Sequence, residues 1–507
     1  MISNAVGQER ISRVVGYLLQ TGNFQESTPN LPMRIAILGQ ANTDKQSGLQ
    51  NTPVEVTSAS QAGELFGFGS PIHQVMRILR NPNGDATGGI PTVIYPQVAP
   101  TTGPAAEVQT ITVSGTPAGQ TTHQLFINGR GSIDGGSYAF TVLDGDTLDD
   151  IAQRIADTIN AVNSAPVTAT VAAAVVTVTT KWVGTSAGDL NLRIDTGNNT
   201  AGVAYAVAET TPAAGDSSGE ITTSLGLFGD NWNTIVINTY GKSALSLFEA
   251  VNGVAGSSSP VGRYLPTTFK PFVALFGDTT ADTVANAVTG LSAAQNTNVQ
   301  CPAPNSEGWP FEAAANFAVL SARRAQDVPH GDISGQFLPD MPMAPNEDLG
   351  IYRDYNNRDS ILKQGGSNVS LNSSQYLIED YATTYHPSNE NPPQFRYVRT
   401  LIIDWNIRFA VLLLEQIYVV DKTIVGDNDD VAATDVISPK QWRGELVRMF
   451  RDLVSRGLIT DADFSAASLQ VSVSTTNPDR FETFFRYKRT GLARISSTTA
   501  EAGFNFG

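Results

Sequence analysis

The feature that most narrows the possible folds is a change of hydrophobic period inside the chain. Before residue 100 and after residue 216, short continuous apolar runs alternate with helical patterns. Residues 33–38 (MRIAIL) stop at Gly39, residues 91–96 (PTVIYP) are bounded by prolines, and residues 234–237 and 271–276 have the same form. Runs of this kind suit strands buried on both faces, which requires helices on each side of a sheet. Residues 71–80 (PIHQVMRILR) predict one such helix, with Ser70 as cap and Pro71 at its first position. Ala-rich helices are predicted at 281–295 and 311–326.

Between 101 and 215 the period drops to two. Residues 108–113, 125–128, 138–143, 167–171 and 175–180 alternate, and one helix after Thr147 carries Leu148, Ile151, Ile155 and Ile159 on a single stripe. The reading is a β-rich domain, 101–215, inserted into an α/β core made of 33–100 and 216–395. The insert has four bases, Arg130, Arg154, Lys181 and Arg193, and more acids. It is expected to be independent and to lie on the outside of whatever the protein builds.

Residues 1–32 read as an arm, with Ile11, Val14, Val15, Leu18 and Leu19 as its apolar part. Residues 396–507 read as an α+β C-terminal domain. It opens with an apolar helix over 395–420. A second helix over 439–456 has Ser438 as cap, Pro439 at its first position and Gln441 three residues after the cap. Leu469, Val471 and Val473 alternate as one strand, and Phe481, Thr483, Phe485 and Tyr487 as another. The closing residues place Phe504 and Phe506 two apart.

Composition removes several classes of function. The net charge is −16, so phosphate backbones and anionic lipid repel the chain; neither nucleic acid nor membrane is expected as a partner. Charged residues are 16% of the chain, against ~25% in ordinary soluble domains, and such a surface can meet protein with little charge desolvation. The single cysteine, Cys301, cannot form an internal disulfide. The apolar run near the N-terminus is short and broken by Arg10 and Arg13, so neither a signal peptide nor an anchor is read there.

Chemical motifs fail on context. Residues 184–188 (GTSAG) fit a nucleophile elbow around Ser186, yet the residues that follow alternate as a strand rather than a helix. Gly67 and Gly69 begin a dinucleotide fingerprint that Ile72 breaks. Asp427 to Asp430 suggest a calcium loop, but Ala432 and Ser438 occupy the positions that need Gly and Glu. The histidines 73, 123, 330 and 386 are scattered, and His73 reads as a packing residue. No catalytic, metal or cofactor residues are assigned, and the chain is read as a non-enzyme. A serine hydrolase at Ser186 and a β-rich surface adhesin are the alternatives.

Several segments in order resemble the sheath proteins of contractile phage tails, particularly the Mu-like branch. They are 13–17 (RVVGY), 31–42 (LPMRIAILGQAN), 65–76 (LFGFGSPIHQVM), 376–385 (YLIEDYATTY), 396–400 (RYVRT) and 477–495 (NPDRFETFFRYKRTGLARI). The resemblance implies a core that is subtilisin-like in shape without a peptidase site. It implies a subunit that assembles with itself as stacked hexameric rings around an inner tail tube. Baseplate and tail terminator proteins are the other implied partners, and the implied location is the virion tail after synthesis in the host bacterial cytoplasm. It also implies terminal arms that add strands to sheets of neighbouring subunits. The residues expected to serve those arms are Arg13, Val14, Val15, Tyr17, Leu18, Leu469, Val471, Val473, Phe481, Phe485, Tyr487, Phe504 and Phe506. The basic residues Arg443, Arg448, Arg451 and Arg456, off the apolar stripe of their helix, are expected to face the inner tube.

Overall fold

The computed structural model describes residues 29–82, 86–390, 393–429, 431 and 433–502. They divide into two compact units, one containing 30–408 and 489–502, the other 29 and 409–488. Among the described residues no helix is long and apolar enough to cross a membrane.

The larger unit is organised by one sheet. Its strands are β1 (Ile35–Gln40), β2 (Val54–Glu55), β3 (Thr92–Gln97), β4 (Ile235–Asn238), β5 (Val273–Asp278) and β6 (Asn298–Pro302). Their order is β6-β5-β4-β1-β3-β2, parallel throughout except at the edge strand β2. Every residue of β1, β3, β4, β5 and β6 is buried. This is why the strands read as continuous apolar runs: both faces are covered. On one face Ala36, Leu38, Val93, Tyr95, Val236 and Ala274 meet Ile221, Leu225, Phe228, Phe248 and Phe272. Helices Pro71–Leu79 and Pro310–Asp327 also pack on the sheet. Ser70 Oγ accepts from the His73 amide at 3.1 Å, as the cap motif predicts.

Two core elements differ from the sequence reading. The helix expected over 281–295 is only Val284–Val288, and the chain turns at Gly290 with φ +82, a conformation that ends helices. Strand β6 has no counterpart among the strands expected from the sequence. Its polar residues Asn298 and Gln300 are buried and bonded, Asn298 Nδ2 to Glu249 Oε1 at 2.7 Å and Gln300 Nε2 to the Ala287 carbonyl at 2.8 Å.

The 101–215 segment leaves the sheet after β3 and returns before β4. Strands Val203–Thr211, Val108–Gly115, Val175–Thr180 and Val167–Ala172 form an antiparallel sheet in that order, and Leu192–Asp195, Thr121–Ile127 and Ala139–Val142 form a second. Helix Leu148–Ala161 packs on strands of both sheets. Its capping box joins Thr147 and Asp150, and Ile151, Ile155 and Ile159 are buried. Strand Val203–Thr211 has no counterpart among the strands expected from the sequence: Val203, Tyr205 and Val207 alternate with alanines, which are themselves apolar and give no polar contrast.

This segment has its own apolar core but is bound to the sheet domain by charge. Arg130 reaches Glu312 at 3.2 Å and Asp340 at 2.9 Å. Arg193 forms a two-pronged pair with Glu307 at 2.8 and 3.1 Å. Lys181 Nζ donates to the Phe68 carbonyl at 3.4 Å, and Trp182 lies 5.0 Å from Trp309 between ring centroids. Two of the four bases of the insert, Arg130 and Arg193, are thus paired with acids of the core; Lys181 also donates to the Asn163 carbonyl of the insert at 3.0 Å, and Arg154 pairs with Asp146 inside it. The expected independence of the insert gives way to this attachment, and the compact-unit division keeps it with the core.

Candidate assembly surfaces

In the smaller unit, helix Pro439–Ser455 begins with a capping box between Ser438 and Gln441 and buries Trp442, Leu446, Met449, Phe450 and Leu453. Against it lies a hairpin, Gln470–Val473 paired antiparallel with Phe481–Phe484. Phe485 packs on Phe450 at 5.2 Å and on Tyr487 at 6.2 Å, and Trp442 Nε1 donates to Thr483 Oγ1 at 3.2 Å. The alternation visible in the sequence therefore marks the inward face of the hairpin. Leu469 is buried, and Val471, Val473, Phe481, Phe485 and Tyr487 are half-buried. The outward aromatic is Phe484, 51% exposed, which stands outside the alternating set and so gives no signal of its own in the sequence.

Strand addition uses main-chain groups along an edge, with side chains alternating to either face. Among the described residues the hairpin has two strands and no third on either side. Its edges, rather than the side chains named from the sequence, are the surface on which a further strand could pair. The expected arm residues Arg13, Val14, Val15, Tyr17, Leu18, Phe504 and Phe506 lie outside the described residues.

The four arginines of helix Pro439–Ser455 and its C-cap divide by partner. Arg443 donates to the carbonyls of Leu469 at 3.0 Å and Ala466 at 3.3 Å, fastening helix to hairpin. Arg448 pairs with Glu445 at 3.0 Å and Arg456 with Asp452 at 3.2 Å. Arg451 is exposed and makes no hydrogen bond or ion pair among the described residues. The helix thus presents Arg451 as an open cation and Arg448 as a cation held in an exposed pair that is worth at most ~1 kcal/mol.

The motifs with a chemical look are structural. Ser186 is buried in a 3₁₀ turn over Thr185–Ala187, which leads to strand Leu192–Asp195 rather than to a helix. His73 Nδ1 accepts the Gly69 amide at 3.1 Å, and burial lowers its pKa to about 4, which keeps the ring neutral. Asp427 accepts the Lys440 amide and Asp429 the Gly426 amide, both at 2.7 Å, so these carboxylates hold their own loop. Burial pushes the Cys301 thiol well up, away from a reactive thiolate. Among the described residues no group of His, Cys, Asp and Glu could hold a metal ion.

No family model matches the chain. Among curated proteins it is 24% identical over 448 residues to the Mu-like prophage FluMu tail sheath protein of Haemophilus influenzae, covering 84% of each sequence. Among solved structures it aligns with the sheath tail protein of Desulfitobacterium hafniense (12% identity, TM-score 0.44, 94% of this chain and 100% of that one). It aligns also with the anti-feeding prophage helical sheath in its contracted state (9% identity, TM-score 0.46, 98% of this chain and 100% of that one). Structural scores at this level do not argue a common fold, and the relation is carried by sequence: the chain is similar, along most of its length, to a tail sheath protein of the Mu-like contractile phage family.

Proposed function

We propose that the chain is a structural subunit of a contractile tail sheath, polymerising as stacked hexameric rings around an inner tail tube. Contraction of the polymer drives the tube through the host envelope. The observation that carries this reading is the sequence relation to the Haemophilus sheath protein, which extends over 84% of both chains rather than over one shared domain. The core, subtilisin-like in outline by the same relation, and the insert form the bodies. Terminal arms from neighbouring copies, including the segment with Val14, Val15, Phe504 and Phe506, pair with the hairpin edges. Main-chain pairing at edges lets bodies rotate while the links persist. Baseplate and terminator proteins cap the polymer in the virion tail. Negative-stain microscopy of the purified chain is expected to show hollow cylinders. A field of discrete particles at all concentrations would count against a sheath.

Arg448 and Arg451 are proposed to face acidic groups of the tube. Exposed contacts of this kind are individually worth ~0–1 kcal/mol, so a ring can release them together. Charge reversal at both positions (Arg448→Glu with Arg451→Glu) is expected to leave sheath cylinders intact but empty when tubes are supplied. Normal loading of the variant on tubes would assign the helix face elsewhere.

A further inference from the structure

The segment that follows the hairpin does not leave the body at once. Arg489 makes a two-pronged pair with Asp404, both contacts at 2.7 Å, and lies 5.1 Å over the Phe395 ring. Arg399 donates to the Thr490 carbonyl at 2.8 Å and to its hydroxyl at 3.0 Å. Four residues on, Arg494 pairs with Asp332, with Asp380 at 3.0 Å, and stacks 3.9 Å over the Tyr397 ring. Asp332 and Arg494 are largely buried, at 4% and 16% side-chain exposure. The next residue is the reverse: Ile495 is 91% exposed, and 496–502 are exposed throughout. Between the two anchors 491–493 are exposed, and the change from the second anchored arginine to a bare apolar side chain happens within one peptide bond.

We propose that Arg489 and Arg494 clamp the C-terminal segment onto its own body, so that the part free to exchange with a second copy begins at Ile495. A planar guanidinium held by two carboxylates and a ring resists withdrawal in any one direction, which a single lysine pair would not. Pull on the arm is then delivered to β-strand residue Asp380 and to Asp332 of the same unit, not to the hairpin. Leu492, 43% exposed, lies before the second anchor, so the exposed Ile495 is the first side chain beyond the clamp. This inference rests on the sheath reading for the use of the arm, but the clamp can be tested on unassembled protein.

Limited trypsin digestion of the full chain, read by mass spectrometry, compares the bonds after Arg480 and Arg494. Arg480 is 66% exposed and sits beside the hairpin turn, so it serves as the internal reference. Cleavage after Arg494 is expected to be at least ~10-fold slower than after Arg480, because cleavage needs local opening. In Asp332→Asn with Asp380→Asn the two bonds should be cut at similar rates, with the Arg480 rate unchanged as the check that the fold persists. Should the double variant fail to fold, hydrogen exchange of 489–494 against 496–502 in the native chain reads the same boundary. Equal cleavage at both bonds in the native chain would overturn the clamp. Removing the residues after Ile495 is expected to abolish cylinders; cylinders that persist, with Arg494 still protected, would overturn the exchange role and leave the clamp standing.

Discussion

Replacing Gly277 with alanine is expected to unfold the larger unit or leave it too weak to purify. Gly277 lies in β5 where the sheet meets the start of helix Pro310–Asp327. A Cβ there would stand 1.5 Å from the Pro310 carbonyl oxygen and 2.2 Å from its carbon. Both sides of the clash are backbone: one in a central parallel strand, the other in the first turn of a buried helix. Neither can rotate away as a side chain would. Overpacking in a relaxed core costs ~1–3 kcal/mol, and this contact has no soft partner, so a loss of at least ~3 kcal/mol is expected. Denaturant unfolding of the two proteins measures it. Gly444, on the open side of helix Pro439–Ser455 with nothing within 4 Å of an added methyl, is the contrast. There alanine should stabilise by ~0.5–1 kcal/mol, since helix glycines cost chain entropy. An unchanged unfolding midpoint for Gly277→Ala would mean that the helix does not rest on the strand as described.

The second large effect concerns the charge that binds the insert. Glu312 is fully buried in the first turn of helix Pro310–Asp327, and burial raises its pKa, with Asp340 adding to the rise and Arg130 opposing it. Arg130 shows the opposite balance: burial disfavours its charge, but two carboxylates outweigh that cost and hold it protonated. The partners thus do not gain equally, since the guanidinium bonds two anions while Glu312 bonds one cation, with Arg77 a weaker attraction and Asp340 a like-charged neighbour. Arg130→Met removes the cation that hydrogen-bonds Glu312 and leaves the buried carboxylate with only the weaker attraction of Arg77. A loss of ~3–5 kcal/mol is expected, the range for breaking a buried pair from one side. Arg130→Met with Glu312→Leu should recover most of it, because replacing both members removes the desolvation cost as well.

The pH dependence of Arg130→Met gives a second check. A carboxyl whose folded pKa is raised keeps its proton in the native state after the unfolded chain has lost it. Stability therefore falls as pH rises from the ordinary carboxylate range through the raised value, and levels off above it. The variant should be closest to wild type in acid, at the ordinary carboxylate range, and furthest from it once the pH has passed the raised value. A variant penalty that is the same at both would show that Glu312 is not the group left uncompensated.

Much of the secondary structure is legible in the sequence because its causes are local. The caps Ser70, Thr147 and Ser438 each satisfy an amide three residues away, so the motif carries its own partner. The strand Val175–Thr180 matches its sequence pattern to the residue, since a half-buried strand must alternate. The hairpin face is legible as apolar alternation, but its exposure is not. Alternation says which side chains share a face, and only the neighbouring helix with Trp442 and Phe450 says that this face is inward.

What the sequence determined by itself was the kind of element at each place: buried parallel strands, an alternating insert, capped helices, and no local motif that completes a catalytic or metal site. Only the tertiary structure decided the partners. Nothing near Arg130 in sequence points to Glu312, nothing near Gly277 to Pro310, and nothing near Arg494 to Asp332 and Asp380. Period and capping are set by neighbours a few residues apart, whereas the cost of burying a charge or a methyl is set by atoms that meet only when the chain has closed on itself.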